Sequence, residues 1–280
     1  MKTIKYLLYG VVMGVANVIP GVSGGTMAVI LNFYDKLMEC ITLDFKKIKD
    51  NLDFLIPLAL GIAISVIGLS KIMQFLLNSY TTQTYFAFIG IVFGSLNLIY
   101  SNAKIKKIKK TSYIPFAITF VLMLYLSFAN ADKETASTII KYTTLNTESF
   151  IMCFIAMAVA TVTMIIPGIS GALVLIIMGM YGTIIGYVIA EFNIPLLIPS
   201  GLGGLFGLLG GAGLVRFLLK NYHQETYMAI LGLLVGSIVQ LYVNSNVVLA
   251  FNLELVSSLV AMILMFVIVY WFSNQQVKEN

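Results

Sequence analysis

The stretch "VIPGVSGGTM", Val18–Met27, interrupts a long apolar run with a proline, three glycines and a serine. Near the middle of the chain "IIPGISGALV", Ile165–Val174, repeats the pattern. Proline removes a backbone N–H and ends the preceding helix, and glycine permits turns that other residues resist. The sequence therefore predicts two helix breaks of one kind inside a hydrophobic chain.

The composition places both breaks in a membrane protein. Of 280 residues, 59% are hydrophobic and 10% are charged, and the mean hydropathy is +0.96. A soluble domain could not bury so much apolar surface. Apolar runs near bilayer length are predicted at 54–77, 85–100, 114–130, 150–166, 169–190, 197–218, 226–243 and 250–272. The fold class is an all-α polytopic membrane protein.

Three features could suggest another class, and each has a simpler explanation. Segment 1–21 has basic residues before an apolar stretch, but it lacks a small-x-small cleavage site, so we expect it to be the first membrane segment. Cys40 and Cys153 lie in different segments and indicate neither a disulfide framework nor a metal site. The net charge of +5 comes from lysines clustered in loops, which favours a role in topology over nucleic-acid binding.

The chain reads as a duplication. Ser23 and Ser170 occupy the same place in the two breaks, at an offset of 147 residues. A second block aligns at an offset of 142, where 75–95 and 217–237 share ten identities in twenty-one positions. We expect a first repeat at 1–130, an extracellular linker at 131–147 and a second repeat at 148–280.

The lysines predict that the two repeats are inverted. Segment 35–53 carries four lysines and loop 101–113 carries five, whereas their counterparts 190–196 and 244–250 carry no Lys or Arg. By the positive-inside rule, equivalent loops then lie on opposite sides of the membrane. Each repeat is predicted as a broken helical hairpin followed by three transmembrane helices. The compact break favours a re-entrant hairpin, and the alternative is a pair of arms that spans the membrane fully without changing the inversion. The segments predicted on the cytoplasmic side are both termini, 35–53, 101–113 and 219–225, and those outside are 79–84, 131–149, 190–196 and 244–250.

A broken hairpin at membrane depth survives only inside protein or beside a polar cavity. The helix after each break begins with unpaired N–H groups, and Ser23 or Ser170 stands at the capping position. Free amides and the positive end of a helix dipole bind anions, so the pair predicts two facing anion-binding helix starts. The alternative is that each motif is only a tight turn for helix packing.

Other polar groups near the membrane segments carry less specific predictions. Lys71 and Arg216 lie near opposite ends of equivalent helices, and each could bind a ligand or extend to the interface. Asn17, Asn32 and Asp35 add polar groups near the first break. The glycine-rich run 201–213 is predicted to be a helix-packing surface.

Together these motifs resemble a known bacterial membrane family. They are "NVIPGVSGGTMAVILNFYDKL", "SKIMQFLL", the two "TYxAxxGxxxGS" blocks and "IIPGISGALVLIIMGMY", which together cover nearly the whole chain. The family is similar to this sequence in its paired PGxSG motifs, was long catalogued as a domain of unknown function and is associated with polyprenyl-phosphate transport. The resemblance implies return of undecaprenyl phosphate, the lipid carrier of cell-wall synthesis, from the outer to the inner leaflet of the bacterial cell membrane.

The resemblance also implies a set of substrate-binding positions. A phosphate headgroup needs amides, hydroxyls and a cation, while its prenyl tail can stay in lipid. Ala172 stands where a second glycine would mirror Gly25, so the two half-sites differ. The expected partners are a polyprenyl-phosphate lipid, the membrane and a coupling ion, proton or sodium; no cofactor, metal or nucleic acid is expected. The positions that the resemblance carries over are Pro20, Gly21, Ser23, Gly24, Gly25, Thr26, Lys71, Pro167, Gly168, Ser170 and Gly171. Asn17 and Arg216, which are polar residues near the membrane segments, complete the set of candidate substrate-binding residues.

Two other functions remain open from the sequence. A transporter of a small soluble anion would share every site argument and differ only in the tail of its substrate. The tetrad Gly21–Gly24 reads GxSG, as in rhomboid intramembrane serine proteases, but such chemistry needs a histidine base close to the serine. The chain has one histidine, His223, in a predicted cytoplasmic loop. The sequence therefore favours a transporter that is not an enzyme.

Overall fold

The fold is taken from a computed structural model. It describes residues 2–18, 24–42, 44–68, 75–76, 79–103, 108–128, 140–189, 191–245 and 252–279. No strand occurs in these ranges, and the regular elements are helical. A 3-10 turn at Lys110–Ser112 leads into α7, and a π-helix spans Gly182–Ile189. The α-helices are α1 (Lys2–Val18), α2 (Gly24–Ile30), α3 (Tyr34–Cys40), α4 (Phe45–Asp50), α5 (Leu52–Gly68), α6 (Thr81–Ala103), α7 (Tyr113–Phe128), α8 (Thr147–Ile165), α9 (Gly171–Ile177), α10 (Ile194–Asn221), α11 (His223–Asn244) and α12 (Leu253–Glu279).

Six of the helices in the described residues are long and apolar enough to cross a membrane. They are α6, α7 together with its 3-10 turn, α8, α10, α11 and the first 23 residues of α12. Helices α1 and α5 are apolar but shorter. The prediction of an all-α polytopic membrane protein is therefore confirmed.

The apolar run at 169–190 is divided between two helices. Helix α9 ends at Ile177, the π-helix begins at Gly182, and the two axes meet at 112°. Gly179 lies in the turn with φ of +63°, a conformation that ends a helix at little cost only for glycine. Hydropathy does not register this bend, because the residues on both sides of it are equally apolar.

The two halves of the chain use matching helix pairs. Helix α1 packs along α5, and α8 packs along α10. A Cβ on Gly61 would overlap the carbonyl oxygen of Leu7, and a Cβ on Gly203 would overlap that of Phe154. These two contacts are related by the same offsets, 147 and 142, that align the sequence halves. Glycine is required at both positions because the helix backbones touch there.

The remaining long helices pair across the halves. Helix α6 packs on α12, α11 packs on α7, and α6 and α11 also pack on each other. Helix starts repeat as well: Gly24 corresponds to Gly171 at the offset of 147, and Thr81 corresponds to His223 at 142. Every residue of α2 is buried. The short helix that follows the first break therefore lies inside the protein, where it can meet the second break.

Candidate functional site

The second break is a buried turn whose backbone follows from its sequence. Ile166 ends α8 with ψ of 121°, the extended conformation that proline imposes on the residue before it. Gly168 has φ of +91°, which side chains other than glycine rarely adopt. Pro167, Gly168, Ser170 and Gly171 are all buried. Non-helical backbone is thus enclosed by protein at this point, as a break inside a membrane requires.

The second break contacts the helix that follows the first break. The backbone N–H of Gly168 donates a hydrogen bond of 2.9 Å to the Thr26 hydroxyl, and the pair is buried. A Cβ on Gly168 would also lie 2.9 Å from the Cβ of Leu233 on α11. The structure therefore brings together two predicted site residues that are 142 positions apart in the sequence.

The end of α8 also contacts the first half of the chain, beside the bond between Thr26 and Gly168, and these contacts together are here called the junction. The Tyr34 hydroxyl donates a hydrogen bond of 3.1 Å to the carbonyl of Ile165, the last residue of α8. A Cβ on Gly25 would overlap the same carbonyl oxygen. Gly24 and Gly25 open α2 and are buried, so α2 begins directly against the end of α8. A carbonyl left without a helical partner at a helix end is thereby satisfied by a side chain of the other half.

Ser170 occupies the capping position of α9 but does not cap it. Its backbone is extended, with φ of −88° and ψ of 126°, and its side chain makes no capping hydrogen bond. The residue is buried, and no described residue bonds to its hydroxyl. The first N–H groups of a helix have no partner within the helix. The Ser170 hydroxyl and the first backbone N–H groups of α9 could therefore donate hydrogen bonds to an anionic oxygen.

Arg216 lies on α10 and bonds to the end of α3. One guanidinium nitrogen, Nη1, donates a 2.8 Å hydrogen bond to the Met38 carbonyl and a second bond to the Ile41 carbonyl. Both carbonyls belong to the last turn of α3, where helix carbonyls lack partners. No carboxylate of the described residues pairs with the guanidinium. Arg216 therefore holds α3 against α10 and does not bond to the described part of either break.

Pro20, Gly21, Ser23 and Lys71 lie outside the described residues. Asn17 falls in the last turn of α1, but its side chain is also outside the described set. Their roles as substrate ligands remain predictions.

A second polar cluster lies at the ends of α3, α6 and α11. The Tyr227 hydroxyl donates a 2.9 Å hydrogen bond to the Asp35 carboxylate, and Asn102 donates one to the Asn32 side chain. His223 lies with its ring 4.8 Å from that of Tyr227, and its Nε2 is 3.1 Å from the Asn102 carbonyl. His223 does not contact Ser170, so these two residues do not form the serine–histidine pair that hydrolysis needs.

Known proteins match this chain over most of its length. A sequence model of undecaprenyl phosphate translocase-like proteins matches residues 13–259. The chain belongs to the undecaprenyl phosphate translocase-like family. The family resemblance read from the paired motifs is thereby confirmed.

Two similar relatives are both named polyprenyl-phosphate transporter. The protein from Vibrio cholerae is 30% identical over an alignment of 262 residues, which covers 86% of this chain and 79% of the relative. The protein from Staphylococcus aureus is 30% identical over 263 residues, 90% of this chain and 92% of the relative. No solved structure matches the chain.

Sequence reasoning missed the role of Tyr34. The hydroxyl of this residue crosses to the other half of the chain, and only 2% of the residue is exposed. The available signal was its match to Tyr181 at the same offset of 147 as the breaks. A polar aromatic residue that recurs at a fixed distance from a helix break is a candidate to satisfy the backbone there.

Proposed function

We propose that this protein carries a polyprenyl phosphate across the membrane, and that it returns undecaprenyl phosphate from the outer to the inner leaflet for reuse in cell-wall synthesis. The observation that carries the proposal is the buried hydrogen bond between Thr26 and Gly168, which joins the helix after the first break to the second break. Membership of the undecaprenyl phosphate translocase-like family and two relatives named polyprenyl-phosphate transporter support the substrate class.

The phosphate would bind at the two breaks, and the tail would stay in lipid. On the second break, the Ser170 hydroxyl and the adjacent backbone N–H groups would donate to the phosphate oxygens. On the first break, Gly21, Ser23 and Gly24 would act in the same way. Lys71 would capture the headgroup on the outer side, and Arg216 would act at the inner side. Because only the headgroup is charged, only the headgroup needs a polar path through the membrane.

Transport would follow from two inverted repeats, 1–130 and 148–280, joined by an extracellular linker at 131–147. The matched helix pairs α1–α5 and α8–α10 support the duplication, and the lysine distribution supports the inversion. In inverted-repeat transporters, one repeat moves against the other around a site near the membrane midplane. The junction at Thr26 and Gly168 has the position between halves that such a site requires. A proton or sodium ion would supply the coupling, and both termini would be cytoplasmic.

The transporter performs no chemistry in this proposal. Hydrolysis would need a base beside one of the break serines, whereas His223 contacts Asn102 and Tyr227. Substrate binding and release require only hydrogen bonds that form and break. We therefore expect His223→Ala to retain its capacity to move the lipid.

Ser170→Ala tests the proposal against a matched control. The Ser170 hydroxyl has no partner in the described residues, so its loss should not destabilise the fold. It should weaken phosphate binding by about 1–2 kcal/mol, or roughly tenfold, if the hydroxyl bonds to the anion. The control is Ser273→Ala, because the Ser273 hydroxyl on α12 is buried and has no partner among the described residues.

The measurement is leaflet exchange of labelled undecaprenyl phosphate in liposomes that contain the purified protein, beside uptake of inorganic phosphate and other small anions. We expect the lipid to move, slowly in Ser170→Ala and at the normal rate in Ser273→Ala. Equal lipid rates in the two variants would remove Ser170 from the site. Uptake of a small anion without lipid exchange would replace the proposed substrate with a soluble one.

A further inference from the structure

An apolar cavity of about 350 Å³ lies between α8 and α10. Its walls include Val159 and Val162 of α8 and Phe206, Gly210 and Leu214 of α10, and all its lining residues are apolar. Phe206 and Leu214 are more than half exposed, so the cavity opens outward from the helix pair. In a membrane, this opening faces the hydrocarbon region.

A second cavity of about 390 Å³ continues the first and ends at a charge. It is lined by Leu209, Arg216 and Thr42, and it shares Phe206 and Gly210 with the apolar cavity. The two cavities therefore form one furrow along α10, here called the α10 furrow. One end is entirely apolar and the other carries a guanidinium group.

Helix packing does not explain the glycine at the centre of the furrow. Gly203, Gly207 and Gly211 lie against α8, and a Cβ on Gly203 or Gly207 would overlap its backbone. By contrast, a Cβ on Gly210 would meet nothing within 4 Å. Glycine inside a helix destabilises it relative to alanine. At Gly210 the missing side chain leaves open the space where the two cavities join.

The charged end of the α10 furrow is suited to a phosphate. Only Nη1 of Arg216 bonds to the α3 carbonyls, and no carboxylate of the described residues neutralises the group. A guanidinium has five N–H donors in a planar fork that matches phosphate oxygens. The furrow also borders the candidate site, because a Cβ on Gly211 would lie 3.2 Å from the Ile165 side chain at the end of α8.

We propose that the α10 furrow binds the isoprenoid chain of the substrate lipid next to its headgroup at the inner side, where the phosphate has left the breaks and lies at Arg216. The inference rests on the proposed function and adds a place for the tail. An apolar trough with one cation at its end is complementary in charge to a lipid that has an apolar chain and one anionic head. Continuity with the break at Ile165 favours the transported lipid over a bystander phospholipid.

Gly210→Leu tests the furrow, and Gly201→Leu is its control. Both glycines lie on exposed parts of α10 with nothing within 4 Å of an added Cβ, and leucine favours a helix more than glycine does. Of these two glycines, Gly210 lines the furrow and Gly201 does not. We expect undecaprenyl phosphate to bind Gly210→Leu about tenfold more weakly than wild type, and Gly201→Leu to bind it normally.

The measurement uses the purified full chain in nanodiscs and undecaprenyl phosphate with a photoreactive diazirine in the isoprene units nearest the phosphate. Adducts are expected on residues 158–162 and 206–214, and Gly210→Leu should lose them. Three results would overturn the furrow assignment and leave the proposed function intact. They are unchanged binding in Gly210→Leu, adducts on other residues, and displacement of the probe by excess phosphatidylglycerol. Failure of the wild-type protein to bind undecaprenyl phosphate would overturn the proposed function and this inference with it.

Discussion

Thr26 joins the two halves of the chain through its hydroxyl oxygen. That oxygen accepts the N–H of Gly168, a residue whose positive φ aims its backbone into the junction. A buried backbone N–H without an acceptor costs free energy, so this contact stabilises the packing of α2 against the second break. Phosphate oxygens are stronger acceptors than a hydroxyl. Substrate could therefore compete with Thr26 for the Gly168 N–H.

Thr26→Val should separate the hydroxyl from the shape of the side chain. Valine keeps the volume of threonine but leaves the Gly168 N–H without its acceptor, so we expect a loss of about 1–3 kcal/mol in unfolding free energy. Thr26→Ser keeps the acceptor and should lose much less. Thermal unfolding in detergent, beside leaflet exchange in liposomes, measures both effects. If the Thr26→Val variant is as stable as the Thr26→Ser variant, the hydrogen bond does not stabilise the junction.

The sequence predicted which residues are unusual and that the two breaks face each other, but it did not predict which atoms form the bond between the halves. Proline before glycine predicts a helix end, and the buried turn at Pro167 and Gly168 has that form. The contact of Gly168 with Thr26 spans 142 positions, and no local propensity encodes such a distance. Similarly, the sequence left Arg216 open between a ligand and an interfacial residue, because the carbonyls that it bonds belong to a remote helix end.

Helix α3 is a short element that depends on a side chain from another helix. It has seven residues, too few for stability alone, and its last turn is held by the bonds from Arg216 to Met38 and Ile41. Its position matters because Tyr34 at its start bonds the end of α8. Any movement of α3 would therefore be transmitted to the junction of the breaks.

Arg216→Gln should loosen the end of α3. Cys40 lies between Met38 and Ile41 in the sequence, has a free thiol, and is only 3% exposed. The reactivity of its thiol therefore reports on the opening of this turn. Loss of two charge-assisted hydrogen bonds should raise its rate of maleimide labelling by about tenfold. Cys153, which is fully buried on α8, is the control within the same molecule and should stay protected. Equal protection of Cys40 in the variant would contradict the anchoring role.

The bend after α9 marks the limit of element prediction from hydropathy. Gly179 corresponds to Asn32 at the offset of 147, and both have positive φ, +63° and +56°. Asparagine and glycine are the residues that most readily adopt this conformation. Their alignment was the signal that each short helix turns at the same place, and a hydropathy window averages it away.

Across the whole molecule, equivalent residues recur in equivalent surroundings. Phe75 lies edge-on to Tyr80 with ring centroids 6.0 Å apart, and Phe217 lies edge-on to Tyr222 at 6.3 Å. The two pairs are related by the offset of 142. The sequence predicts a duplication because prolines, glycines and tyrosines recur at fixed spacing. Orientation relative to the membrane is set by lipid and insertion, so it is predicted only through the lysines.

Tyr80 and Tyr222 provide a matched pair for testing that orientation. They occupy equivalent positions in the two halves and are 50% and 52% exposed, so a cysteine at either site should be equally accessible to a reagent on its own side. If the halves are inverted, Tyr80→Cys faces outside and Tyr222→Cys faces the cytoplasm, because only the second lies beside basic residues such as Lys220.

The experiment labels intact cells with a membrane-impermeant maleimide, in a background where Cys40 and Cys153 are replaced by serine. We expect labelling of Tyr80→Cys in intact cells and of Tyr222→Cys only after the cells are opened. A lysine-free loop and its basic counterpart would then lie on opposite sides, as alternating access around a shared phosphate site requires. Labelling of both variants from the same side would make the repeats parallel, and the two breaks could not then face each other across the membrane midplane.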